Sequence, residues 1–99
     1  MIRGTTPTLS FCLPFDVSLI KVASIVFSQN DEIKLEKTLD DCTIEDTTLT
    51  VKLSQDETLT LRDGIYTEIQ IRVKMTSGDA LASDIIKVQT GRILKDGVI

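Results

Sequence analysis

The side chains able to do chemistry in this 99-residue chain are Cys12, Cys42, a scatter of carboxylates and many Ser and Thr hydroxyls; it contains no His. Without an imidazole, a Ser or Thr nucleophile lacks its usual base and a Cys–His pair cannot form. No Gly-x-Ser-x-Gly elbow occurs, and the glycines stand singly at turns, so no phosphate cradle is encoded. Asp40, Asp41, Glu45 and Asp46 could offer oxygens to calcium, but Cys42 and Ile44 interrupt the run and its spacing fits no calcium loop. They read as solvated turn charges. Glu68 and Asp84 could approach each other across neighbouring strands, yet Arg72 and Lys74 share that face, and a cross-strand charge lattice accounts for them better than an acid–base pair. Cys12 and Cys42 are too few for a disulfide framework and lack metal-ligand spacing. They read as two thiols in or beside strands, with one bridge between them as the alternative. No catalytic residue, cofactor or metal is assigned.

The elements that would position any site are strands. Ile, Val and Thr supply 32 of the 99 residues, and their β-branched side chains fit a pleated surface better than a helix. After an arm at residues 1–6, Leu9, Phe11 and Leu13 alternate with Thr8, Ser10 and Cys12 until Pro14 stops the strand. Residues 15–20 read as a turn or short helical crossing that Asp16 or Ser18 can cap. Residues 21–28 form a second strand with Ala23, Ile25 and Phe27 on one face and Val22 and Val26 on the other. That pattern marks a central strand, or one whose outer face meets a partner. A turn at residues 29–32 leads into a hairpin partner with Ile33, Leu35 and Leu39 facing in, followed by an acidic loop at 40–46. Leu49, Val51 and Leu53 face in on the next strand, and Ser54 with Glu57 forms a capping box that starts one short helical turn near 55–61. Leu59 and Leu61 plug the end of the core. Asp63-Gly64 is a corner. Residues 65–75 alternate Ile65, Ile69, Ile71, Val73 and Met75 inward with Tyr66, Glu68, Gln70, Arg72 and Lys74 outward. Ser77-Gly78 predicts a two-residue hairpin loop into a closing strand at 81–88, and residues 92–99 form a tail.

Six to seven short strands with turn signals about every 8 to 12 residues predict a single all-β domain over residues 1–99, an immunoglobulin-like antiparallel sandwich of two sheets. A small barrel is the alternative. The net charge of −4 argues against nucleic acid, whose phosphates need clustered Lys and Arg. No apolar run reaches the ~20 residues that span a bilayer, so no membrane partner is expected. The start of the chain, broken by Pro7, Ser10 and Pro14, does not read as a signal peptide, which points to a cytoplasmic origin.

Leu53-Ser54-Gln55-Asp56-Glu57-Thr58, then Asp63-Gly64-Ile65-Tyr66, an alternating strand and Ser77-Gly78-Asp79 resemble the small immunoglobulin-like domains of phage tail and baseplate proteins, notably the N-terminal domain of baseplate upper proteins. The crossing at residues 15–27 resembles the same family. The opening Ile2-Arg3-Gly4-Thr5-Thr6-Pro7-Thr8, with Leu13-Pro14-Phe15-Asp16, is similar to short prophage proteins encoded among virion structural genes of Gram-positive bacteria. The resemblance implies a non-enzymatic structural or adaptor protein, associated with a tail or baseplate, that self-associates or docks on a larger tail protein. It implies residence in the host cytoplasm during assembly and then in the virion. Candidate interface residues are Val22 and Val26 on the two-faced strand, the surface Tyr66, and Ile93, Leu94, Val98 and Ile99 in the tail. A carbohydrate- or ligand-binding sandwich module is one competing reading, although the chain has no Trp and one Tyr. A prophage accessory protein that binds a host protein is the other.

Overall fold

Period-two alternation decides which face of each strand is buried, and the computed structural model, which describes residues 1–99, follows it closely. There are eight strands: β1 (Thr8–Cys12), β2 (Ile20–Gln29), β3 (Glu32–Thr38), β4 (Cys42–Glu45), β5 (Thr48–Lys52), β6 (Tyr66–Met75), β7 (Ala80–Ala82) and β8 (Ile86–Gln89). One short helix, α1 (Gln55–Leu59), follows β5. The strands form two antiparallel sheets, β1-β5-β4 and β3-β2-β6 with β7 and β8 successively on the far side of β6. Phe27, Ile25, Leu49, Val51, Ile69 and Ile71 fill the space between the sheets.

This order is that of an immunoglobulin sandwich. β1, β5 and β4 occupy the places of strands B, E and D; β3, β2, β6 and the β7–β8 pair occupy those of C′, C, F and G. Residues 1–6 precede β1, and Ile2 among them makes a single parallel bridge to Gly91.

Local chemistry sets the connections. Asn30 and Asp31 both have positive φ, at 49° and 63°, and give the two-residue primed turn that suits the right-handed twist of the β2–β3 hairpin. The Asp16 carboxylate accepts from the Ser18 N–H and caps a 3-10 turn at Val17–Leu19. The predicted capping box is present: Ser54 Oγ accepts from the Glu57 N–H at 3.1 Å, and the Ser54 N–H donates to Glu57 Oε1 at 2.8 Å.

Where β5 crosses back to β6, the corner is held by a buried polar cluster. Gln29, at the end of β2, donates from Nε2 to the Arg62 carbonyl and accepts at Oε1 from the Arg62 N–H, both at 2.8 Å. The same Nε2 lies 3.2 Å from Thr67 Oγ1, which is 2.6 Å from Thr90 Oγ1. All three side chains are buried, and no buried side-chain polar atom lacks a partner. Tyr66 does not tie the corner; it is exposed and makes no side-chain hydrogen bond.

Four sequence expectations are corrected. The strand count is eight rather than six to seven, because residues 40–46 are not a loop: Leu39–Asp41 is a 3-10 turn and Cys42–Glu45 pairs with β5. The closing strand also splits into β7 and β8, with Asp84 and Ile85 together opposite Gln70. This bulge shifts the inward set from Leu81 to Ile86 and Val88. Ile33 faces solvent because the register slips between Phe27 and Ser28, which leaves Lys34 without a partner in the ladder and pairs Ile33 with outward Ser28. The β6–β7 loop has three residues, 76–78, between the Met75–Asp79 pair, with Gly78 at φ 93°.

Replacing Gln29 with Leu keeps the volume but strands the Arg62 N–H and carbonyl. A loss of about 3 kcal/mol is expected in urea unfolding, with the m-value unchanged.

Candidate interaction surface

An edge strand exposes unpaired N–H and C=O groups, and folded proteins blunt such edges with charge, bulges, short length or cover. Three of the four edges here are blunted. β3 carries Glu32, Lys34, Glu36 and Lys37, and Lys37 lies opposite buried Ile25, so its chain enters the space between the sheets to pair with Glu57 of α1. β4 has four residues and is flanked by Asp40, Asp41 and Asp46. The β7–β8 edge is broken by its bulge, and residues 1–3 cover its end: the Met1 amino group donates to the Gln89 carbonyl at 2.8 Å and the Arg3 N–H to the Gly91 carbonyl at 3.1 Å.

β1, five residues long between Pro7 and Pro14, carries no charge, bulge or cover. No charged residue lies between Arg3 and Asp16, and its register with β5 is unbroken. The Leu53 N–H donates to the Pro7 carbonyl and the Leu13 N–H to the Thr47 carbonyl. The odd-numbered residues therefore face β5, and by alternation the N–H and C=O groups of Thr8, Ser10 and Cys12 point out of the sheet edge.

Beside this edge lies an apolar groove of about 290 Å³ lined by Leu13, Phe15, Ile71, Val73, Leu81 and Ala82. No strand of residues 1–99 lies over it. Leu81 pairs with buried Val73 and faces inward, yet it is 46% exposed; Ile86, opposite buried Ile69, is 41% exposed. Burying two such side chains is worth several kcal/mol by area.

The residues proposed from sequence as interface fall in two places. Val22, Val26 and Tyr66 lie on the outer face of the larger sheet. Val22 joins Arg72, Lys74, Ala80 and Ala82 around a shallow depression of about 370 Å³. The tail is separate and folds back on its own domain. Arg3 clasps it: Nε donates to the Leu61 carbonyl at 2.6 Å, one Nη to the Leu59 carbonyl at 3.0 Å, and the other pairs with Asp96 at 2.8 Å. Gln55 bonds both the N–H and the carbonyl of Ile99. Ile93 is half-buried above Gly4, whereas the side chains of Leu94, Val98 and Ile99 remain exposed. The β1 residues were not among those proposed from sequence as interface, although their charge-free run is plainly visible there.

Residues proposed for chemistry do not converge. Cys12 faces outward opposite Thr48, and Cys42 faces inward opposite Val51, on opposite sides of one sheet, so they cannot bridge. Burial pushes the Cys42 thiol up, with Asp41 adding to the effect, so it is a poor thiolate. The Asp41 carboxylate is spent on the Thr38 N–H at 2.9 Å, which lowers its pKa. No three Cys, Asp or Glu side chains gather in a metal-holding group. The cross-strand neighbour of Glu68 is Lys87, and Asp84 sits in the bulge.

Two outcomes are expected. Partial burial pushes the Glu57 carboxyl up, but hydrogen bonds from Lys37 and the Ser54 N–H outweigh it and hold the group below the ordinary Glu value. Its contribution to stability is thus complete above that ordinary value and is lost as pH falls through the lowered one. Thermal melts between about pH 3 and 6 should show a shallower acid limb in Glu57→Gln than in the parent. Arg3→Ala should cost about 1–2 kcal/mol and accelerate amide exchange in residues 92–99 ahead of the core strands. In comparisons with family models, curated proteins and solved structures, nothing matches the chain.

Proposed function

We propose that the chain is a non-enzymatic structural or adaptor domain of a phage or prophage tail or baseplate, working through protein–protein assembly. The observation that carries the assembly reading is the uncharged, uncovered β1 edge beside an uncovered apolar groove. Backbone groups and apolar side chains are offered together there, the combination that strand addition uses. The tail and baseplate assignment is supported by the resemblance at residues 2–16 and 53–79, together with an immunoglobulin-like strand order of the kind that resemblance implies.

Mass spectrometry of particles purified after prophage induction tests this reading. The chain is expected in the particle fraction or in tail assembly intermediates. Its recovery only as a free species bound to one host protein would replace this reading with that of an accessory protein. Specific retention on a glycan array would replace it with that of a carbohydrate-binding module.

A further inference from the structure

We infer that the recess on the outer face of the larger sheet, floored by Arg72 and Lys74, docks an acidic, extended segment of a partner protein. The inference rests on the assembly reading only in taking the occupant to be a protein.

The recess follows from register. On the outer face Lys74 of β6 stands between Val22 of β2 and Ala80 of β7, and Arg72 stands between Ser24 and Ala82. The middle strand carries the long side chains, while β7 offers only methyl groups beside them, which leaves the depression of about 370 Å³. Its opposite wall includes Val22, which is 54% exposed.

Charge selects the occupant. The chain has a net charge of −4, yet Arg72 and Lys74 take successive positions on one strand face, and no other strand face sets two cations side by side. Neither pairs with a carboxylate: the ion pairs of the fold are Arg3–Asp96, Lys34–Glu32 and Lys37–Glu57. The acids of the same face and its turn are engaged elsewhere. Glu36 accepts from Ser24 Oγ at 2.9 Å, Glu68 lies opposite Lys87, and Asp79 accepts from Ser77 Oγ at 3.2 Å. Neighbouring like charges repel, so carboxylates seated over the pair are attracted by both and relieve that repulsion.

The form of the occupant follows from spacing. Same-face residues of a strand lie about 6.6 Å apart, and an extended segment presents its own carboxylates at that period. The planar guanidinium of Arg72 can grip one carboxylate with two hydrogen bonds, and the Lys74 ammonium meets the next as a point charge. Val22, Ala80 and Ala82 cover the methylenes that carry those carboxylates. A nucleic acid draws on about six to ten cations, and an anionic membrane on about four to eight. Two cations in a recess, with Glu36 and Glu68 on the same face, suit neither.

Titration of the full chain with a short blocked peptide of alternating glutamate and valine, followed by amide NMR, tests the inference. Saturable shifts are expected in residues 22–24, 72–74 and 80–82, and binding should weaken severalfold as salt rises from about 0.02 M to about 0.3 M. The glutamine–valine counterpart should leave those amides unmoved. Arg72→Gln with Lys74→Gln should lower affinity roughly tenfold or more. Lys52→Gln with Lys95→Gln, which changes the net charge equally, should not alter it. Arg72 and Lys74 are exposed, so their double variant should keep the parent's urea midpoint. No shift at millimolar peptide, equal binding of the glutamine counterpart, an equal loss in the Lys52 and Lys95 variant, or inorganic phosphate binding as tightly as the peptide would overturn the inference. If the chain is nevertheless recovered from particles, the assembly reading stands and its contacts lie elsewhere.

Discussion

The Gln29 carboxamide binds the Arg62 backbone as a neighbouring strand would, giving one hydrogen bond and taking one. The corner between β5 and β6 depends on that imitation. In this architecture a tyrosine commonly fastens the same corner. Here the fastening comes from the other side, from the last residue of β2, with Thr67 and Thr90 completing the shell. Because Gln29 immediately precedes the Asn30-Asp31 turn, one residue sets both where the hairpin ends and where the crossover docks. A buried amide surrounded by partners tolerates little displacement, so the register of β2 against β6 is fixed at this end.

The two long sides of the sandwich are finished differently. On the β3–β4 side, Lys37 reaches inward to Glu57 and a 3-10 turn bridges the sheets. At the end near α1, Arg3 satisfies the carbonyl of Leu59, the last helical residue, and that of Leu61 just past it, and ties arm and tail together. The β1–β7 side has neither device. Charge and hydrogen bonds close the other flanks and leave this one open.

The core was legible from sequence because burial on one face imposes a period of two, and Ala23, Ile25, Phe27, Leu49, Val51, Leu53, Ile69, Ile71 and Val73 all obey it. The capping box was legible because its two partners are three residues apart. What was hidden depends on partners far away in the chain. Cys42–Glu45 is too short and polar to announce a strand until β5 lies beside it. A bulge is invisible in an alternating pattern until its partner strand is known, which is why Ile33 and the break at 83–85 escaped. Gln29 read as turn chemistry because its partners are more than thirty residues downstream. The interaction edge escaped for a different reason: its signal is the absence of charge, and an apolar, alternating strand looks the same whether its edge is covered or bare.

The bridge between Ile2 and Gly91 also sets an order of events. Residues near the start of the chain acquire their lattice partner only when residue 91 has been synthesised. Until then residues 1–6 are a free arm, although β1 itself can already pair with β5. The hairpin of β2 and β3, closed by its own two-residue turn, can form long before. Docking of the arm is thus among the last steps in building the domain.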